Sequence, residues 1–209
     1  MVGFYNYTVY LTYIGLISSL LGIFLSFTGN IGGAVICLLV SGMCDMFDGK
    51  IARTKKDRTE LEKAFGIQID SLCDVICFGV FPAVLSIAVG AIRVWQLTVA
   101  ALFCVCGVIR LAYFNVLAEN RQNSPGEKDT GYLGVPITTS ALTVPLLMCF
   151  QNILGTHLAF AYSLLLLVMG ICYIAPLKVR KPGKIGCAVM ILMGIVILAF
   201  SIKNCGSFH

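Results

Sequence analysis

Seven apolar runs of about twenty residues, the length needed to cross the hydrocarbon core of a bilayer, succeed one another along this chain at 9–28, 31–48, 68–90, 94–118, 135–154, 157–177 and 184–203. Few folds tolerate such a pattern. Backbone polar groups in lipid must be satisfied within the element, which leaves helices or a closed barrel, and runs this long are helices. Composition agrees: 58% of the residues are hydrophobic, 12% are charged and mean hydropathy is +0.92, against roughly 25% charged residues in soluble domains. The expectation is an all-α, polytopic integral membrane bundle of six to seven transmembrane helices. Neither an internal repeat nor a spacer able to form a second domain is evident, so residues 1–209 read as one domain. The first run has no basic leader or small-residue cleavage site before it and reads as a retained helix.

Basic residues set the expected orientation. Lys50, Arg53, Lys55, Lys56, Arg58 and Lys63 follow the second run; Arg110, Arg121 and Lys128 flank the loop after the fourth; Lys178, Arg180, Lys181 and Lys184 join the last two. These thirteen fall on one side, leaving Arg93 and Lys203 on the other. The N-terminus and the three basic loops are therefore assigned to the cytoplasm. The same surface is suited to anionic lipid headgroups, and no nucleic-acid partner is expected. Most of the ten cysteines sit in apolar runs, where free thiols behave as small hydrophobes. No disulfide or zinc–thiolate site is expected.

The exception to this apolar character is SGMCDMFDGKIAR at residues 41–53, followed by GIQIDSLCD at 66–74. Asp45 and Asp48 are three apart, Asp70 and Asp74 four apart, so each pair shares one helix face. Four of the chain's six aspartates thus enter the membrane from one loop. Uncompensated carboxylates at close quarters in a low dielectric repel one another. Two hard dications with oxygen ligands would balance them. The plainer reading, helix caps or ion pairs with neighbouring lysines, would serve for one aspartate better than for four. Gly49 lets a ligand approach the backbone, Ala52 keeps the face small, and Arg53 offers a planar fork suited to phosphate. Together they suggest a pyrophosphate bound across two metals, and hence phosphoryl-group transfer.

At this point the sequence resembles the CDP-alcohol phosphotransferase family. Asp45, Asp48, Gly49, Ala52, Arg53, Gly66, Asp70 and Asp74 match all eight fixed positions of its signature DxxDGxxAR…GxxxDxxxD. The twelve residues TKKDRTELEKAF separate Arg53 from Gly66, where many relatives have about eight; an added helical turn in a loop is accommodated at little cost. The lengthening leaves Lys63 and Thr59 as alternatives for the hydroxyl that often helps hold the nucleotide. Val9 stands where many relatives carry asparagine, with Thr12 three residues on.

The resemblance implies that Asp45 and Asp70 bridge two Mg²⁺ or Mn²⁺ ions, that Asp48 completes one and Asp74 the other, and that Asp74 also takes the proton of the attacking alcohol. Gly49, Ala52, Arg53 and Gly66, with Lys63 and Thr12, would hold the CDP-lipid. The segments RLAYFN and GVPITTSA, with SLCDVICFGVFP around Asp74, look like the phosphatidylserine synthase branch of that family, over about residues 9–145. This branch implies CDP-diacylglycerol and L-serine as substrates, phosphatidylserine and CMP as products, and a homodimer. Arg110 and Asn115 are the candidates for serine binding: the guanidinium could take the carboxylate as a fork. Alternatively, Arg110 is a snorkelling anchor and Asn115 a helix-end residue. Two rival functions remain open: the same chemistry on glycerol 3-phosphate or an inositol phosphate, and divalent-cation transport, which leaves Gly49, Ala52 and Arg53 unexplained. Pro82, Pro145 and Pro176 are expected to kink helices, Pro136, Thr138 and Thr139 to shape the entrance of the fifth run, and Trp95 to anchor at an interface.

Overall fold

The computed structural model describes residues 7–52, 54–55, 57, 59–123, 132–133, 135–176 and 178–179. Helices dominate: α1 (Tyr7–Phe27), α2 (Ile31–Ala52), α3 (Glu60–Asp74), a π-helical segment (Val75–Val80), α4 (Phe81–Ala88), α5 (Val94–Asn123), α6 (Ser140–Cys149), α7 (Gln151–Leu154) and α8 (Leu158–Ile174). Two two-residue strands, β1 (Tyr132–Leu133) and β2 (Lys178–Val179), pair antiparallel with Tyr132 opposite Val179. That short ladder ties the connection after α5 to the exit of α8. Five helical runs are long and apolar enough to cross a membrane: Val9–Phe27, Ile31–Ile51, Glu60–Ala88, Val94–Leu117 and Gln151–Ile174. The chain is an integral membrane protein, and the seventh expected run, 184–203, lies outside the described residues.

The fifth run is shorter than expected. A 3₁₀ turn (Ile137–Thr139) leads into α6, which stops at Phe150 (φ −94°, ψ 8°). Ten residues at 1.5 Å rise reach only about 15 Å. Polar Gln151 and Asn152 follow, and Gly155 turns the chain at φ +46°. Pro145 does lie inside α6. Pro176, expected to kink a helix, instead lies beyond the end of α8, which closes at Ile174 with Ala175 already extended; a residue without an N–H is at home just past a helix end.

α1 and α2 form an antiparallel hairpin. Gly29 adopts φ +80° in the turn, a conformation open to glycine, and Asn30 Oδ1 accepts from Gly33 N (2.9 Å) to cap α2. Between helices in lipid there is no hydrophobic drive, so close packing and hydrogen bonds carry association. The hairpin shows both. Thr12 pairs with Asp48 (3.1 Å) and Ser19 with Ser41 (2.9 Å) in one register, and Ser18 donates to the Cys37 carbonyl (3.0 Å). Where α2 crosses α6, a Cβ on Gly42 would lie 2.6 Å from Ala141 Cβ, so only glycine permits that approach.

α3 begins eight residues before the expected boundary. Thr59 Oγ1 accepts from Glu62 N while Glu62 Oε2 accepts from Thr59 N, a reciprocal cap that fixes the first turn. Lys55 and Glu62 close the preceding loop with a 3.1 Å ion pair. After Asp74 the helix widens into the π segment and then meets Pro82, which has no N–H for the Phe78 carbonyl four residues back. Ser140 Oγ of α6 donates to that carbonyl (3.0 Å), and Tyr162 OH of α8 donates to the Pro82 carbonyl (3.1 Å). The fully buried rings of Phe78 and Phe81 pack here with Leu38 and Leu85, below the acidic face.

Candidate active site

The last two turns of α2 and the last two of α3 converge. Carboxylate oxygens of Asp45, Asp70 and Asp74 all lie within 4.8 Å of one another. Asp48 stands beside this trio: it is 7% exposed, its Oδ2 accepts from Thr12 Oγ1 at 3.1 Å, and it is within hydrogen-bonding reach of Asp70, as Asp45 is of Asp74. The four side chains expected to meet do meet. Among the described residues nothing hydrogen-bonds the buried Asp70 Oδ1. A buried carboxylate oxygen with no donor, in a group of hard anionic ligands, fits an oxygen-seeking dication. Asp45, Asp70 and Asp74 could hold such an ion directly.

On the expected nucleotide side, Gly49 is exposed and a Cβ there would meet nothing within 4 Å, so that face of α2 is open to a ligand. Ala52 closes α2, and Gly66 lies one turn before Asp70 on α3. Arg53 lies outside the described residues. Lys63 Nζ pairs with Glu60 Oε1 at 2.7 Å on the helix surface, its side chain 44% exposed, and Thr59 is taken up by the helix cap. Thr12, expected against the CDP-lipid, gives its proton to Asp48.

A cavity of about 360 Å³ opens on the acidic trio and is lined also by Arg110, Asn115, Ser71 and Thr138. The two residues expected to bind serine thus share a space with the carboxylates. Arg110 is 6% exposed. Its guanidinium carbon lies 4.7 Å from the Phe114 ring centroid and 5.8 Å from that of Tyr173, so it is held between aromatic faces inside the bundle and is no snorkelling anchor. Tyr173 OH donates to the Ile137 carbonyl (2.9 Å), which fixes its ring against α5. Asn115 takes a hydrogen bond from Ser71 Oγ (2.9 Å) and gives one to Gln68 Oε1 (3.4 Å). Ser71, Gln68, Phe114 and Tyr173 were missed by the sequence reading. Phe114 follows Arg110 by one turn and Ser71 sits beside Asp70, so spacing could have found them; nothing local to Tyr173 points to Arg110.

Cys44, Cys73 and Cys77 border a space of only about 10 Å³ together with Asp45, Asp48 and Asp74. They are free thiols, as are all eight described cysteines.

Comparison with known proteins bears on what this arrangement does. A family profile described as CDP-alcohol phosphatidyltransferase matches residues 5–174. The chain is 37% identical over 128 residues to an archaetidylserine synthase of Methanothermobacter thermautotrophicus, covering 61% of this chain and 51% of that protein. It is 36% identical over 117 residues to a CDP-diacylglycerol–serine O-phosphatidyltransferase of Saccharomyces cerevisiae (54% and 41%), and 32% identical over 177 residues to one of Methanocaldococcus jannaschii (84% and 75%). The match spans about half the length of the first relative, two fifths of the second and three quarters of the third.

Proposed function

The chain belongs to the CDP-alcohol phosphatidyltransferase family, and from that premise we propose that it is a phosphatidylserine synthase, transferring the phosphatidyl group of CDP-diacylglycerol to the hydroxyl of L-serine and releasing CMP. The observation that carries the choice of acceptor is the shared cavity: Arg110 and Asn115 line the same space as Asp45, Asp70 and Asp74. A small amino alcohol with a carboxylate suits it. The Arg110 fork takes the carboxylate, Asn115 offers an amide N–H, and the nearby aspartates favour the ammonium. The serine in the names of the relatives points the same way.

In this reading Asp45, Asp48, Asp70 and Asp74 would hold two Mg²⁺ or Mn²⁺ ions. When bound, such ions neutralise charge on a pyrophosphate and on the departing CMP. The protein's own part is positioning. Gly49 leaves an open face for the CDP moiety, and Ala52, Arg53 and Gly66 flank it in sequence. Asp74 accepts the serine hydroxyl proton as the new oxygen–phosphorus bond forms to the lipid-bearing phosphate, and the bond from that phosphorus to CMP breaks. The site faces the cytoplasm, on the side of the thirteen basic residues, and the protein works as a homodimer.

A phosphorylated acceptor such as glycerol 3-phosphate calls for more than one cation, and Arg110 is the one basic residue among the described residues lining the cavity. The test is CMP release by the purified protein given CDP-diacylglycerol and, separately, serine, glycerol 3-phosphate and inositol phosphate, with and without chelator. Release with serine alone, lost on chelation, is expected. Release with only a phosphorylated alcohol would replace the acceptor, and metal flux into liposomes lacking CDP-lipid would replace the enzyme with a transporter.

A further inference from the structure

The polar cluster beside the acidic trio includes two residues to which neither the reaction nor the family signature gives a part, Gln68 and Ser71. Both lie on α3, the helix that carries Asp70 and Asp74, and both contact the side-chain amide of Asn115 on α5. Ser71 Oγ donates to Oδ1 at 2.9 Å, and Gln68 Oε1 accepts from Nδ2 at 3.4 Å. A primary amide carries two N–H bonds and one carbonyl oxygen. With the oxygen held by Ser71 and one N–H given to Gln68, no other described residue takes the second N–H, which is left for the cavity that Asn115 lines. Ser71 lines that cavity too, and its single proton is spent on Asn115, so the hydroxyl shows lone pairs to whatever enters.

We infer that Ser71, supported by Gln68, is a positioning residue for the acceptor: it fixes the Asn115 amide so that a donor faces the bound alcohol, coupling the metal-bearing helix to the acceptor-binding one. The inference rests on the proposed acceptor chemistry. It adds that selectivity for the alcohol is written partly on α3, one residue from a metal ligand, and that Ser71 acts through Asn115. Without Ser71 the amide can rotate about its terminal torsion, which is broad and close to two-fold, and its oxygen then faces an incoming carboxylate or hydroxyl in part of the population.

The experiment is a double-mutant cycle on Ser71→Ala and Asn115→Ala in purified protein, following CMP release. KM is measured for serine at saturating CDP-diacylglycerol and for CDP-diacylglycerol at saturating serine, and folding is checked by thermal unfolding in detergent. Loss of one hydrogen bond in a partly buried site corresponds to about a tenfold effect. Ser71→Ala is expected to raise serine KM about tenfold in the native background, to leave KM for CDP-diacylglycerol unchanged, and to do nothing further once Asn115 is alanine. Equal effects in both backgrounds, equal effects on both substrates, or no effect would each overturn the inference. Should Ser71→Ala fail to fold, Gln68→Ala removes the other anchor from an exposed position, is expected to raise serine KM in the same coupled manner, and overturns the inference if additive. Native protein that releases no CMP with serine would instead refute the acceptor assignment itself, an outcome visible before any variant is made.

Discussion

A hydroxyl that gives its proton to a carboxylate has none left for a nucleotide. Thr12 was expected beside the CDP-lipid, and its bond to Asp48 Oδ2 at 3.1 Å separates two roles that sequence position alone does not. If Thr12 orients Asp48, then Thr12→Val loses a hydrogen bond to a charged group, a contact worth about 1.5–3 kcal/mol, and the loss falls on metal affinity. The Mg²⁺ concentration for half-maximal CMP release is expected to rise about tenfold or more, with KM for CDP-diacylglycerol unchanged; a rise confined to the donor KM would return Thr12 to the nucleotide. Arg110 is the second residue whose surroundings decide its part. Lysine in its place keeps the charge but loses the planar fork and the stack between Phe114 and Tyr173, so Arg110→Lys is expected to raise serine KM about tenfold and donor KM far less. Equal rises would take Arg110 out of the acceptor pocket. The four aspartates were legible because each pair sits in a spacing with a helical consequence, and Arg110 was marked by the resemblance of the segment RLAYFN to its counterpart in the family. Tyr173 was not, because it reaches Arg110 from α8 through tertiary packing that no local pattern encodes.

Among the elements, the run from Glu60 to Ala88 shows what the sequence hides. Its apolar length announces a crossing, but hydropathy places the start at residue 68 and passes over the Thr59–Glu62 cap that begins the helix at Glu60, and the π segment at Val75–Val80 carries no periodic signal, because every residue through it is apolar or glycine. Pro82 is visible in the sequence; the means of satisfying the carbonyl it leaves open is not, since the donor, Ser140, lies 62 positions on. The fifth run misled for a related reason. Its hydropathy is continuous, but Phe150 and Gly155 end the helix by backbone geometry. Ser140→Ala should leave the Phe78 carbonyl short of a donor and lower stability by about 1 kcal/mol, the scale measured for hydrogen bonds between membrane helices. Pro82→Ala restores an N–H four residues after Phe78, so it is expected to recover much of that loss when combined with Ser140→Ala. Unfolding in detergent across the four proteins checks this, and additive losses would mean that Ser140 supports α6 through its Ile137 contact (3.1 Å) and not through Phe78.

For the whole molecule, the strongest constraint is electrical. α2 and α3, joined by a short loop, bring four carboxylates together at the end of a membrane bundle, where repulsion between like charges is poorly screened. Helix packing around Phe78, Phe81 and Leu38 must hold these groups together against that repulsion, and among the described residues a buried oxygen of Asp70 has no donor. Any cation that binds the folded site and not the unfolded chain therefore stabilises the fold, by about 2.7 kcal/mol at a hundred times its dissociation constant. Mg²⁺ or Mn²⁺ is expected to raise the unfolding temperature of the chelator-treated protein in a saturable way, at the same concentrations that restore CMP release. Asp70→Asn removes one charge from the repelling set and one ligand from the ion. It should make the metal-free protein more resistant to heat than the native metal-free form while shrinking the rise that metal gives, a crossing pattern that loss of packing cannot produce. Thermal unfolding of both proteins, with chelator and with Mg²⁺, reads all four values. A native protein equally stable with and without ions would show that the carboxylates are held apart by something other than a bound dication.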